Sequence, residues 1–367
     1  MKKVFATFFP PTEDVHLTKD VGMIPYIMHR EFGYDARIIC YKNGDYPSLK
    51  KEVRGLKLEF IHNWVDGILY LLKHGKKIDV LQVYHPSLAS AVIGIFYKLV
   101  NPGGILYCKA DIAPELIIKK YRWNLRSVIY FIMWWAVFDM VSLESESLYI
   151  FFQENKNFAH VRNKLCYIPD GVDTKALGHV AGHNRKENLI LHVGRIGKYQ
   201  KASEIALEAF IRISEKFPEW RLVVTGTVEK DFRPRLEYYV GKSERIEYAG
   251  FVRREDLLKH YKKAKILLMP SRLESFGIAA AEAGFFGVVT LGTNLTSLKE
   301  ITDYGEAGYL CPIDDLGCFV EKLTHALSNK RELMQKSEAV RQRITREYDW
   351  TKICAKLDAI ISERRDY

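Results

Sequence analysis

Short, almost wholly apolar runs alternate along this chain with longer stretches whose apolar positions recur at helical spacing, and the alternation happens twice. KKVFATFF, DARIICY, IDVLQVYH, GILYCKAD, FDMVSLES and KLCYIPD are the runs of the first half. Their length and their β-branched and aromatic content predict strands buried on both faces. IPYIMHREF, VDGILYLLKH and ASAVIGIFYKLV, lying between them, predict helices, so residues 1–170 read as parallel β-α-β units in one doubly wound, Rossmann-like domain. From 170 to 188, DGVDTKALGHVAGHNRKEN breaks the rhythm with Gly, Asp, Asn and His, which is the composition of a linker, centred on 171–186. The pattern then restarts with strands NLILHVG, RLVVTG, RIEYAG, KILLMPS and VVTLG and helices SEIALEAFIRISEKF, REDLLKHYKKA and FGIAAAEAGFFG. A second doubly wound α/β domain is expected over 187–345, facing the first across a cleft, with ligands beyond the carboxyl ends of the strands.

Composition adds bounds to this picture. The 367 residues suffice for two domains, and 48% hydrophobic against 27% charged residues is a globular balance. The six cysteines form no C-x-x-C pair and read as structural thiols in a reducing compartment. The N-terminal MKKVFATFFPPTED has no signal-peptide pattern, so a cytoplasmic location is expected. A net charge of +10 favours an anionic partner, but the cations are spread along the chain and no RNP, KH or zinc-finger pattern occurs, which argues against nucleic acid. SVIYFIMWWAVF, at 127–138, falls short of the roughly 20 residues that cross a bilayer. Just before it, Lys119, Lys120, Arg122 and Arg126 interleave with Tyr121 and Trp123, a mix suited either to an anionic membrane surface, with the protein peripheral on the inner face of the cell membrane, or to a core helix with a solvated entry.

Candidate chemistry concentrates in SRLESFGIAAAEAGFFG, 271–287. KILLMPS delivers the chain to a loop, and a helix expected to begin near Phe276 would turn its first amides and positive dipole end outward as a phosphate seat, with Gly277 admitting a ligand close to the backbone. Glu282 lies roughly 7–9 Å along that helix, far enough to accept hydrogen bonds from a ribose diol. Glu274, in the loop, is free to reach a polar group beyond the phosphate. In LHVGRIGKYQKASEIALEAF a strand ends at Gly194, followed by Arg195 and then Lys201 at the mouth of the next helix, two cations suited to a diphosphate. No Walker loop, G-x-G-x-x-G fingerprint or D-x-D metal motif accompanies them, so no metal or other cofactor is expected.

Taken in order, GR (194–195), Lys201, TG (225–226), YAGFV (248–252), MPSRLESFGIAAAEAGFFG (269–287), KEI (299–301) and EAGYLCP (306–312) resemble the retaining glycosyltransferases of family 4, which have the GT-B fold. YIPDGVDT (167–174) resembles that family's IPNGVD junction, with Asp170 in place of Asn, and YDWTKICAKLDAII resembles its closing helix, so 346–367 are expected to return to the N-terminal domain. The resemblance implies metal-independent transfer of a sugar from a nucleotide-diphosphate sugar to an acceptor hydroxyl with retained configuration, and the basic and aromatic residues near 119–135 point to a sugar or lipid-linked sugar acceptor and to surface polysaccharide or glycolipid assembly. It implies Arg195, Lys201 and Glu274 as catalytic, and Gly194, Gly226, Phe251, Val252, Ser275, Phe276, Gly277, Ile278 and Glu282 as donor-binding. On the acceptor side, the family's double glycine is reduced to Gly22, Tyr84 and His85 stand in a His-containing segment, and Ala110 replaces a usual histidine, leaving Lys109 and Asp111 as candidates. A nucleotide-sugar epimerase of the same build, a glycoside hydrolase using Glu274 and Glu282 and a non-catalytic sugar or nucleotide binder are the alternatives.

Overall fold

The computed structural model describes residues 2–118, 136–178 and 186–364. The basic and aromatic segment 119–126, most of the apolar run 127–138 and the middle of the expected linker lie outside the described residues. The chain forms two compact units, residues 1–176 with 349–367, and residues 177–348.

In the first unit, strands and longer helices follow in the order β1 (Val4–Phe8), α1 (Asp20–Phe32), β2 (Asp35–Cys40), β3 (Lys57–Phe60), α2 (Trp64–His74), β4 (Val80–Tyr84), α3 (Leu88–Val100), β5 (Ile105–Ala110), β6 (Met140–Leu143), α4 (Glu146–Glu154) and β7 (Leu165–Tyr167). They make a seven-stranded sheet ordered β3-β2-β1-β4-β5-β6-β7, every neighbouring pair parallel. Reversal of strand order beside β1 sends the helices to opposite faces, as parallel crossovers require. One face is covered by α1, the other by α2, α3 and α4, and each has its own apolar cluster.

The second unit runs β8 (Leu189–Val193), α5 (Ser203–Ser214), β9 (Arg221–Thr225), α6 (Arg233–Lys242), β10 (Ile246–Tyr248), α7 (Arg254–Lys263), β11 (Ile266–Met269), α8 (Ile278–Phe285), β12 (Val289–Thr293), β13 (Tyr309–Cys311), α9 (Leu316–Ser328) and α10 (Lys330–Glu347). Its six strands, ordered β10-β9-β8-β11-β12-β13, are again all parallel. The last helix, α11 (Trp350–Glu363), belongs to the first unit. Trp350, Ile353, Cys354, Leu357 and Ile361 repeat at helical spacing and are buried in the cluster with Ile24, Ile27 and Met28 of α1. Asp349 caps it by accepting from the amides of Thr351 and Lys352.

Two local expectations need correction. The reading of all six cysteines as thiols fails for Cys311 and Cys318, which form a disulfide with Cα atoms 5.7 Å apart. The end of β13 and the first turn of α9 flank a tight loop, and no sequence pattern announces that closeness. The other four cysteines are free and buried. Helix α8 starts at Ile278, not Phe276, because Gly277 takes a left-handed φ of 97° that no helical residue adopts. Phe276 turns away and packs edge-on against Tyr348.

Candidate functional site

The carboxyl edge of the second sheet gathers the residues that the sequence singles out in that half. Gly194 follows β8 and Gly226 follows β9, and the two turns touch: a Cβ on Gly226, whose φ is 139°, would lie 1.7 Å from the Gly194 carbonyl oxygen. Glycine is therefore a steric requirement at 226. Arg195, next along, is exposed. The Gly226 amide and the Thr225 hydroxyl both donate to Gly250 O, at 2.9 and 2.8 Å, which ties the β10 turn to this edge. That turn carries Phe251, 69% exposed, and the half-buried Val252.

Lys201 stands in a tight turn, Tyr199–Lys201, ahead of α5. The next residue, Ala202, is fully buried at φ 45°, a conformation costly for a side-chain-bearing residue and kept only where neighbours over-determine it. The neighbours are specific. His192 of β8, whose pKa burial lowers to about 4, is neutral. Its Nδ1–H donates to Leu268 O at 2.9 Å, so Nε2 accepts from the Ser203 hydroxyl at 3.0 Å and fixes the start of α5. From the other side comes Arg272. Its backbone amide donates to Gln200 O (2.8 Å), Nη1 to Tyr199 O (2.9 Å), Nη2 to Glu204 (2.6 Å) and Nε to Asp314 (2.6 Å), while the guanidinium lies 4.6 Å from the Tyr199 ring centroid. One side chain thus joins the Lys201 turn, the first turn of α5 and the loop closed by the disulfide.

Thus held, Lys201 donates to Glu274 Oε1 at 2.5 Å, and the buried Ser271 hydroxyl donates to the same oxygen at 2.7 Å. An ammonium has three donors, so two remain for oxygens of a ligand. Beyond Glu274 lie the half-buried Ser275, then Phe276 and Gly277, and then α8, whose first two amides, those of Ile278 and Ala279, precede the first bond of the helix, Ala280 N–H to Gly277 O at 2.8 Å. A Cβ on Gly277 would reach within 3.2 Å of Leu298. Glu282 is buried on α8 and ion-paired through Oε1 with Arg254 of α7. The pair faces the buried Tyr261, whose phenol burial, then Glu282, holds well above its ordinary pKa. A carboxylate accepts about four hydrogen bonds, so pairing with Arg254 still leaves Glu282 capacity for a diol.

The first unit's candidates also lie at a carboxyl edge, with different surroundings. Exposed His85 follows β4 at φ 58°, its amide donating to Lys109 O at 2.9 Å. Tyr84 is buried, with Gln82 donating to its hydroxyl at 3.2 Å. Gly22 lies inside α1, where a Cβ would fall 2.2 Å from Leu17 O, so packing alone demands glycine. Lys109 is fully buried and pairs with Glu144 (2.8 Å) and Asp170 (2.9 Å), whereas Asp111 is exposed. Burial opposes the Lys109 charge, but Asp170 and Glu144 outweigh it and hold its pKa well above ordinary. Asp20, Glu144 and Asp170 offer carboxylate oxygens within 4.8 Å of one another, and burial followed by Asp170 raises Asp20 to about 7. The ammonium already bonded to two of the three carboxylates offsets part of their charge.

Sequence reasoning missed Arg272, Arg254, Ser271 and His192 in the second unit and Asp20 and Glu144 in the first. Ser271 and Arg272 had a local signal, both lying within the quoted 271–287 stretch; the others depend on contacts between distant segments.

Residues 174–343 match the family of glycosyl transferases group 1. The phosphatidyl-myo-inositol mannosyltransferase of Mycobacterium tuberculosis is 26% identical over 199 residues, 52% of each chain. The chain thus spans about half the length of the curated relatives it matches. A glycosyltransferase from Rickettsia africae superposes with a TM-score of 0.78 at 14% identity, covering 99% of this chain and 98% of that one. Anabaena HepE in complex with UDP-glucose does so with 0.75 at 13%, covering 98% and 99%. Through residues 174–343 the chain is related to the glycosyl transferases group 1, and its two Rossmann-like units have the GT-B fold.

Proposed function

We propose that this chain is a retaining, metal-independent glycosyltransferase that moves a sugar from a nucleotide-diphosphate sugar to an acceptor hydroxyl. The observation that carries the reading is the Lys201–Glu274 pair beside the mouth of α8, with Glu282 farther along the same helix. In the reaction the bond from the anomeric carbon to the diphosphate oxygen breaks and its electron pair leaves with the phosphate. The acceptor oxygen bonds to that carbon on the same face, and its proton passes to a phosphate oxygen. Arg195, Lys201 and the α8 amides stabilise the charge that develops on the leaving diphosphate, a contribution that grows toward the transition state. Glu274, oriented by Lys201 and Ser271, holds the donor sugar, Glu282 the ribose, and Phe251 and Val252 border the base. In this reading residues 187–345 are the donor domain, and Gly22, Tyr84, His85, Lys109 and Asp111 belong to the acceptor side, with Lys109 acting through its carboxylate partners. HepE binds UDP-glucose, which supports uridine diphosphate sugars as the first donors to test.

Thermal shift against a panel of nucleoside diphosphates and their sugars, with and without chelator, tests the reading, because a ligand that binds only the native state raises the midpoint in proportion to its affinity. One diphosphate is expected to stabilise the protein regardless of chelator, and Lys201→Ala and Arg195→Ala to abolish the shift. Nucleotide release with an acceptor marks a transferase, and sugar cleavage without nucleotide marks a hydrolase. Intact affinity and turnover in both variants would refute the reading.

A further inference from the structure

On the first unit, α2 and α3 pack side by side over the same sheet face, and what they turn outward is not what a solvated helix turns outward. Val65, Leu69 and Leu72 on α2 recur at i, i+4 and i+7, and Leu88, Ile95 and Leu99 on α3 at i, i+7 and i+11. Each series marks a single stripe. All six are between 44 and 68% exposed. Their inward neighbours Leu71, Ile93 and Tyr97 fill the core cluster, so the outer stripes are surplus to folding. The sequence of α3, LASAVIGIFYKLV, contains no acidic residue, and the only one on α2 is Asp66 near its start. A continuous apolar face of this kind on a folded unit marks an interaction surface.

Charge selects the partner. At the C-terminal end of α2 the chain exposes Lys73, Lys76 and Lys77. This end abuts the end of α3: Asn101 donates to Gly75 O, and a Cβ on Gly75 would touch Val100. The lysines therefore border Leu72 and Leu99. A second copy docking through this face by two-fold symmetry would bring lysine rims of two chains, each of net charge +10, together. A layer that accepts apolar side chains between anionic headgroups suits both features. We propose that the α2–α3 face docks the protein on an anionic lipid surface, with Val65, Leu69, Leu72, Leu88, Ile95 and Leu99 entering the interfacial layer and Lys73, Lys76 and Lys77 meeting the headgroups. The face does not include the donor-site residues, so this inference and the proposed activity stand or fall separately.

Cosedimentation of the full chain with vesicles of phosphatidylcholine alone, and of phosphatidylcholine mixed with phosphatidylglycerol, is the test. The protein is expected to partition onto the anionic vesicles and to be released by salt. The triple variant Leu69→Gln, Ile95→Gln, Leu99→Gln and, separately, Lys73→Glu, Lys76→Glu, Lys77→Glu are each expected to lower the partition coefficient about tenfold or more. Both leave thermal midpoint and nucleotide binding unchanged, because they touch only outward side chains. Absence of binding by the parent chain, or equal binding by both variants, overturns the proposal. A parent dimer that the glutamine variant converts to monomer, without vesicle binding, assigns the face to a second copy and also overturns it. A lowered midpoint of the glutamine variant with no vesicle binding means that the fold itself uses the face, and overturns the proposal as well.

Discussion

Replacing Arg272 with methionine tests whether the turn carrying Lys201 is positioned or merely present. Methionine keeps the aliphatic bulk and removes three side-chain hydrogen bonds, to Tyr199 O, Glu204 and Asp314. Bonds to charged groups contribute about 1.5–3 kcal/mol each when desolvated. Asp314, however, is 51% exposed, and its bond belongs in the solvent-screened range of about 0–1 kcal/mol. Glu204 is better covered and Tyr199 O is a neutral acceptor, so the loss in stability comes to about 2–4 kcal/mol. What matters for catalysis is how much of this reaches Lys201. With the clasp gone, Ala202 gains about 1–2 kcal/mol by leaving its left-handed conformation. On the proposed function, a turn relaxed by that amount withdraws Lys201 from Glu274 and from the donor's diphosphate for most of the time, and at 1.36 kcal/mol per decade kcat/KM falls about 5- to 30-fold. Arg272→Lys keeps one positive charge but cannot bridge three acceptors, and is expected to fall between. The assay is nucleotide release with saturating acceptor, alongside the thermal midpoint with and without nucleoside diphosphate. A methionine variant with a lowered midpoint but kcat/KM within about twofold of the parent would refute the reasoning, because Arg272 would then hold the fold and not the lysine.

The contact between Gly226 and Gly194 predicts that Gly226→Ala costs about 3 kcal/mol or more, since a Cβ placed 1.7 Å from a backbone oxygen forces two strand-end turns apart. A urea midpoint equal to the parent's, with nucleotide binding intact, excludes that contact. Asp20 predicts a pH dependence. Burial and then Asp170 raise its folded pKa from 3.8 to about 7, so the folded state holds a proton that the unfolded state has released. Its contribution is therefore full below the unfolded pKa and lost as pH rises through the folded one. Asp20→Asn, which mimics the protonated form, should gain stability relative to the parent between about pH 5 and pH 8 in urea titrations, and a difference independent of pH across that window contradicts the assignment.

Of the eleven strands that the apolar runs predicted, nine, β1, β2, β4, β5, β6, β8, β9, β11 and β12, have strand neighbours on both sides, and two, β7 and β10, are sheet edges. The nine inner ones read as nearly continuous apolar runs because little along them meets water. β3 and β13 have no such signature. Both are sheet edges, β3 reads KLEF with its first and last residues exposed, and β13 is three residues inside GYLCP. Helices α6 and α10 escaped for the opposite reason. Only Leu236 and Tyr239 of α6 are buried, and on α10 Leu333, Val340 and Ile344 carry the apolar contact amid charged residues, too sparse a stripe to stand out.

The candidate site divides along a similar line. Glu274, Gly277 and Glu282 were legible because one loop and one helix set their spacing. That Lys201 bonds Glu274 across 73 positions was not, nor that Arg254 pairs with Glu282 across 28. Sequence reading assigned Lys201 to the diphosphate and Glu274 to the sugar. In the structure they bond each other, and the two assignments agree if Lys201 orients the carboxylate with one proton and offers the others to phosphate. Asp170 makes the more instructive case, since the resemblance noticed it only as a departure from asparagine. An asparagine there would leave Lys109 with two buried carboxylates, Glu144 and Asp20. Asp170 supplies a third, and one ammonium cannot balance three negative charges in a dry setting. Burial first, and then the charge of Asp170, push Glu144 well above the usual carboxylate range and Asp20 up to about 7, so the departure from asparagine at position 170 adds to the charge shift of a residue 150 positions away.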